Sequence, residues 1–298
     1  YDEWKDDKNF IGDVMRFLDN VLTDFIERAP DEFKDATYSA LRERSVGLGV
    51  MGLHSFFQQK MIPLESVMSK VWNKKIFEHI QKDVDKASKD LAEERGACPD
   101  AADYGIKERF SNKTAIAPTA SISIICGGTS PGVEPIAANS FTHKTLSGSF
   151  NVRNRYLEKI LEKYNKNDNE TWSSITTNQG SVFHLDFLTQ QEKDVFKTAF
   201  ELDQKWIVEL GADRTPHISQ AQSINIFVPA DIHKKELHQI HFQAWKKGLK
   251  SLYYCRSKSI QRAENVNDAK LTDVTANVYK SKNQENEEKE YEECSSCQ

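Results

Sequence analysis

No run of apolar residues approaches the roughly 20 that a membrane-spanning helix needs, and no secretory leader is visible at the start. A basic surplus is missing too. Forty Lys and Arg stand against 45 Asp and Glu, and the pI is near 6.0, which disfavours a nucleic-acid-binding surface. Cysteine is scarce. The five present, Cys98, Cys126, Cys255, Cys294 and Cys297, are odd in number and form no framework pattern, which suits a reducing, cytoplasmic compartment. What remains is 298 residues, 38% hydrophobic and 29% charged, ample for one large domain or two ordinary ones. The chain opens at Tyr1 rather than a methionine, which fits a portion of a longer polypeptide.

The scarce cysteines are not evenly spread. Cys294-Ser-Ser-Cys297 sits one residue from the end, after a stretch with almost nothing to bury. From Ser281 to Gln298 two lysines face six glutamates, which accounts for most of the chain's net charge of −5. Such a segment cannot offset its ordering entropy and is expected to be a disordered tether. A dithiol on a tether can enter a pocket, reduce a disulfide and leave to be re-reduced. A zinc site would need four ligands, and the other cysteines are scattered singly. The neighbouring glutamates disfavour the thiolate. Two inert surface thiols remain an open alternative on spacing alone.

Apolar spacing predicts a helix over residues 9–29, with Phe10, Val14, Phe17, Leu18, Val21, Leu22, Phe25 and Ile26, and another over 64–95, with Val67, Val71, Trp72, Ile76, Ile80, Val84 and Leu91. A capping box at Thr189-Gln-Gln-Glu192 opens a third, which the pattern carries through Phe196, Ala199 and Leu202 to Gly211. All three are expected to pack a core. The last third predicts a strand at 223–228, a helix at 231–247 with Trp245 inward, and a strand at 249–254. Strand, crossover helix and strand imply a parallel pair and an α/β fold. Residues 113–117 suggest a further short strand.

Four groupings could carry chemistry. Gly47-Leu-Gly49-Val-Met-Gly52 fits a dinucleotide fingerprint, but charged, helix-like residues precede it and Glu65 follows too soon. A tight turn with close backbone packing is the better reading. Pro118-Thr119-Ala120-Ser121-Ile122-Ser123 places small hydroxyl residues at a strand-to-helix turn. That arrangement serves equally an anion site or an ordinary cap. Tyr253 and Tyr254 end the last predicted strand, where neighbouring side chains face opposite ways. Their rings can touch only if the backbone leaves strand geometry. Adjacent tyrosines are mostly aromatic packing, but stacked phenols can also pass a radical, because oxidation releases electron and proton together. His233, His238 and His241 lie among lysines on one helix and read as a solvated face rather than a metal site.

The order of these segments resembles one family. The Pro-Thr-Ala-Ser loop, Ala212-Asp-Arg-Thr-Pro216, Gln220-Ala-Gln-Ser-Ile-Asn225, Leu252-Tyr-Tyr254 and a terminal cysteine pair are similar to the large subunit of aerobic, class I ribonucleotide reductase. Arg44–Val50 and Gly96-Ala-Cys-Pro99 also match, so the likeness runs from about residue 9 to 262 and again at the tail. The resemblance implies that Pro118, Thr119, Ala120, Ser121 and Ile122 hold the substrate diphosphate. One branch of the family has an acidic residue where Ala120 stands and a serine where Ile122 stands, so Ile122 offers only its backbone N–H. It further implies that Tyr254 (outer) and Tyr253 (inner) relay a radical, and that Cys294 and Cys297 re-reduce an active-site disulfide.

The resemblance also marks what is missing. The family's Asn-x-Cys-x-Glu finger loop, which carries the thiyl cysteine, does not occur, and no cysteine precedes Cys98. The chain therefore corresponds to the C-terminal half of a ten-stranded α/β barrel with flanking helices, residues 1–270, followed by the acidic tail, 271–298. Implied partners are an N-terminal half of the large subunit, a metal-containing small subunit that supplies the radical, thioredoxin or glutaredoxin, and a ribonucleoside diphosphate. No cofactor, metal, nucleic acid or membrane is expected on this chain. Cys98, Cys126 and Cys255 match no catalytic position and are expected to be structural. Two alternatives are a nicotinamide-dependent oxidoreductase using Gly47, Gly49 and Gly52, and a non-catalytic interaction domain.

Overall fold

The computed structural model describes residues 1–145 and 148–257, with backbone alone for 142–145 and 148–150. The expected first helix is α1, Phe10–Arg28, and a short 3-10 turn leads into α2, Lys34–Glu43. Then come α3, Leu53–Gln59, and the long α4, Val67–Arg95. Ser66 opens α4 by accepting a hydrogen bond from the Ser69 N–H, and Gly96, at φ +86°, closes it. Helices α1 and α4 run side by side in the same sense, with Tyr1 beside His79 and Arg16 beside Glu94.

The periodicity of α1 misled in one respect. Ile11, Met15 and Asp19 face the core, whereas Phe17 is 64% exposed and Val21 50%. The cause is electrostatic. Fully buried Asp19 accepts hydrogen bonds from Arg44 (2.8 Å), Arg95 (2.8 Å) and Arg109 (2.9 Å), which arrive from the end of α2, the end of α4 and the loop beyond it. Burial alone would raise its carboxyl, but the arginine hydrogen bonds and charge hold it below the usual carboxylate range. That network fixes which side of α1 turns inward. Val67 and Val71 of α4 are likewise exposed, while Ile76, Ile80, Val84 and Leu91 are buried as expected.

After α5, Pro99–Ala102, the chain runs through Thr114–Ile116 into α6, Ala120–Ile125. An antiparallel hairpin of β1, Ser140–Thr145, and β2, Gly148–Arg153, follows, then α7, Arg155–Lys163, and α8, Asn169–Thr177. The capping box at Thr189 forms with both hydrogen bonds and opens α9, Gln190–Val195. The single helix expected from there to Gly211 is broken. It stops at Val195 and resumes as α10, Gln204–Arg214. Local hydrogen bonds hold the break: Asp203 caps α10, Glu201 accepts from the Thr198 N–H, and the Gln204 amide donates to the Ala199 and Leu202 carbonyls. Phe196, Ala199 and Leu202 are still buried, through a turn instead of a helical face.

The expected strand-helix-strand unit is present as β3, Ile226–Val228, α11, Lys234–Lys246, and β4, Cys255–Ser257, with β3 and β4 parallel. The second strand lies just beyond the expected 249–254. Trp245 was expected inward, yet it is 74% exposed; Ile240 and Ala244 supply the buried face. Short parallel contacts join Leu48 to Thr114 and Ile116 to Gln222. Residues near 48, 115, 222–228 and 253–257 thus form successive parallel neighbours, with helices packed beside them. The fold is α/β. No described helix is long and apolar enough to cross a membrane.

Candidate functional site

The glycine motif lies in this parallel layer. Val46 and Leu48 donate backbone hydrogen bonds to Asn112 and Lys113. A Cβ on Gly49 would stand 2.5 Å from the Ala115 carbonyl oxygen, so the glycine permits a backbone approach that no other residue could. The element before it is helix α2, not the strand a dinucleotide site needs.

Immediately after the 114–116 segment the Pro118–Ser123 stretch turns into α6. Thr119 sits at φ +55°, a left-handed conformation unusual for a branched residue. Its hydroxyl does not cap the helix. It accepts instead from the Gly132 N–H at 2.7 Å, fastening the loop at 128–132 beneath it. The first amides of α6, on Ala120, Ser121 and Ile122, therefore have no side-chain cap. Ser121 is exposed, Ser123 is buried, and the Ile122 side chain is 55% exposed and chemically mute. No side chain caps this helix start, and its first amides stand beside the exposed residue Ser121.

Beside this turn lies a cavity of about 520 Å³, lined by Ala120, Ser121, Ser123, Gln58, Asn139 and Asn154 among others. Asn154 donates to Gln58 Oε1 (3.0 Å) and to Asn139 Oδ1 (2.8 Å), while Gln58 Nε2 is buried without a hydrogen-bond partner among the described residues. One wall is held by His54, whose Nδ1 accepts from the Ile136 N–H at 3.1 Å. Its burial is nearly complete, and desolvation pushes the imidazole pKa down to about 3. His54 is a neutral structural acceptor, and neither it nor Gln58 stood out in the sequence.

The two tyrosines do touch. Their ring centroids are 4.1 Å apart, the planes are inclined at 48°, and the Tyr253 hydroxyl donates to the Tyr254 hydroxyl at 3.3 Å. They precede β4, and the backbone has left regular strand geometry, as their contact requires. The Tyr253 N–H still reaches the Ile224 carbonyl, and the Ile226 N–H the Tyr254 carbonyl. Between them, the Tyr254 N–H donates to a side chain, Asn225 Oδ1, at 3.0 Å. Asn225 Nδ2 in turn donates to Glu134 at 2.7 Å. Burial pushes the Glu134 carboxyl up, against the hydrogen bond from Asn225 and the charge of Arg256. The Arg256 guanidinium lies 5.8 Å from the Tyr254 ring centre. Both phenols are partly open to solvent, at 45% and 39%.

The loop that fastens Thr119 through Gly132 also carries Glu134, so the anion turn and the tyrosine pair are braced by neighbouring residues. Sequence reading gave no role to Glu134 or Asn225. The one signal was a polar Asn set between Ile224 and Ile226 in the expected strand. Cys98 is buried, but Cys126 and Cys255 are exposed, contrary to a packing role. His233 caps α11 and His238 stacks on Phe242; no group of three or more metal-ligating side chains occurs among the described residues. Cys294 and Cys297 lie outside the described residues.

Residues 2–108 and 99–255 match the family described as "Ribonucleotide reductase, barrel domain". The chain is 51% identical over 270 residues to the ribonucleoside-diphosphate reductase large subunit of Invertebrate iridescent virus 6, covering 89% of this chain and 28% of the viral protein. It is 37% identical over 301 residues to the putative large subunit of Frog virus 3, covering all of this chain and 50% of that protein. Among solved structures, the class Id ribonucleotide reductase alpha subunit of Actinobacillus ureae superposes with a TM-score of 0.79 at 38% identity, covering 87% of this chain and 48% of its own. The chain thus spans half or less of these relatives' lengths. This chain belongs to the ribonucleotide reductase large-subunit family and corresponds to part of its barrel domain.

Proposed function

We propose that this chain forms the later part of a ribonucleotide reductase catalytic subunit and works in replacing the 2′-hydroxyl of a ribonucleoside diphosphate with hydrogen. The observation that carries the reading is the phenol contact between Tyr253 and Tyr254. Packing alone does not call for two partly exposed phenols with hydroxyls in hydrogen-bond range. A relay does. An oxidised tyrosine that takes an electron and a proton from its neighbour returns to the phenol and leaves the neighbour oxidised. Tyr254 is the outer member, facing a radical-generating small subunit whose metal supplies the radical, and Tyr253 is the inner one.

The substrate diphosphate rests on the amides of Ala120, Ser121 and Ile122 and on the Ser121 hydroxyl. Uncapped N–H groups at a helix start favour an anion. Thr119 and Pro118 shape the turn. The thiyl cysteine and its acid/base partners come from a complementary N-terminal half. Phe17 and Val21 on α1 and Val67 and Val71 on α4, one helical turn apart in each pair, are exposed and available to such a partner. Cys294 and Cys297 re-reduce the disulfide formed there and are themselves reduced by thioredoxin or glutaredoxin.

The test mixes this chain, a complementary N-terminal half and a small subunit, and assays diphosphate reduction. Deoxyribonucleotide should form only when all three are present. Product from this chain with the small subunit alone would overturn the division of labour. No product from any combination would overturn the function.

A further inference from the structure

We infer that Glu134 is a positioning residue for the Tyr253–Tyr254 pair, acting through Asn225. The inference rests on the relay reading of that pair and adds a residue to it.

On a regular strand the two rings would point to opposite faces, so their contact requires a local departure. At the departure the Tyr253 N–H keeps the Ile224 carbonyl and the Tyr254 carbonyl keeps the Ile226 N–H, while the Tyr254 N–H between them turns to a side chain. Asn225 Oδ1 takes that N–H at 3.0 Å and so stabilises the departed backbone. A primary amide can face either way, however, and reversed it would set N–H against N–H. Glu134 prevents reversal. Its Oε1 accepts from Asn225 Nδ2 at 2.7 Å, and only one orientation satisfies both neighbours. Both side chains are buried, Asn225 at 1% and Glu134 at 7% exposure, so water is not free to replace either bond. Glu134 is itself held. Its N–H donates to the Pro131 carbonyl, and the adjoining Gly132 N–H is taken by Thr119. Burial raises the Glu134 carboxyl against the Asn225 hydrogen bond and the Arg256 charge, and an acceptor oxygen is present in either protonation state.

Two experiments test the assignment. In the assembled enzyme, Glu134→Met keeps the volume and removes the acceptor. The turnover number should fall roughly a hundredfold, the scale of an ångström's misplacement of a reacting group, with KM for the diphosphate unchanged. Glu134→Gln restores an acceptor and should return most of the activity. Tyr254→Phe serves as the reference. If Tyr254→Phe is fully active, the relay reading fails and this inference with it. If Tyr254→Phe is dead while Glu134→Met turns over normally, the inference alone is overturned. The second experiment needs no activity: 3-fluorotyrosine is placed at position 254 of the full chain and followed by fluorine NMR. The resonance should move in Glu134→Met and return in Glu134→Gln; Asn225→Ala replaces the methionine variant if that fails to fold. An unmoved resonance would overturn the assignment.

Discussion

His54 makes the stability of this chain pH-dependent in a direction that can be worked out in advance. The imidazole is buried, and its Nδ1 is already occupied as an acceptor of the Ile136 N–H. A proton cannot be added there without breaking that bond and charging a desolvated ring. Its pKa lies near 3 in the fold and near 6.5 in the unfolded chain. Below 6.5 the unfolded state therefore binds a proton that the folded state refuses. Stability rises with pH wherever the unfolded state holds more protons. His54 thus contributes nothing to pH dependence above about 7, and its destabilising effect grows by about 1.4 kcal/mol per pH unit below 6.5. Between pH 7.5 and pH 5 this amounts to about 2 kcal/mol, against a total stability on the order of 5–15 kcal/mol. The perturbation is His54→Asn, whose Oδ1 can stand where Nδ1 stands and cannot be protonated. Urea denaturation at pH 7.5, 6.5, 5.5 and 5.0 would compare the two proteins. Any offset between the two proteins at pH 7.5 is subtracted, and the slope is the readout. The variant should lose about 2 kcal/mol less than wild type over that range. Parallel stability curves would refute the buried neutral histidine.

Three further perturbations follow from named contacts. Asp19→Asn leaves three arginine side chains around a neutral amide and should cost about 3–5 kcal/mol in urea denaturation at pH 7; in wild type this contribution is present above the ordinary carboxylate pKa and lost as pH falls through the lower folded value. Gly49→Ala drives a methyl into the Ala115 carbonyl oxygen and should cost about 1–3 kcal/mol by thermal unfolding. Replacing Cys294 and Cys297 with serine should permit one round of reduction with thioredoxin and then stop, while a small dithiol partly restores cycling; undiminished thioredoxin-driven cycling would refute the shuttle.

Much of this fold is legible in local signals. The capping box at Thr189, the stop at Gly96 and the parallel β3–α11–β4 unit all follow from residue type and spacing. So does the close packing at Gly49. The misses share a cause, which is that long-range partners override local pattern. Helix α1 carries apolar residues on two faces, and three distant arginines decide between them by burying Asp19. The break at 196–203 uses side-chain caps that compete with a helix whose apolar spacing was intact. The site divides the same way. Proline, small hydroxyl residues and paired tyrosines announce the turn and the ring pair. Glu134 and Asn225 are 91 residues apart in sequence, so their contact exists only in the folded chain.

Turnover of a ribonucleoside diphosphate by the assembled enzyme, compared between wild type, Tyr253→Phe and Tyr254→Phe, bears on the relay with the fewest intervening steps. Phenylalanine keeps the ring contact and removes the redox-active hydroxyl. Each substitution should abolish turnover and leave diphosphate binding intact. Wild-type turnover in either variant would contradict the relay and with it the proposed role of this chain.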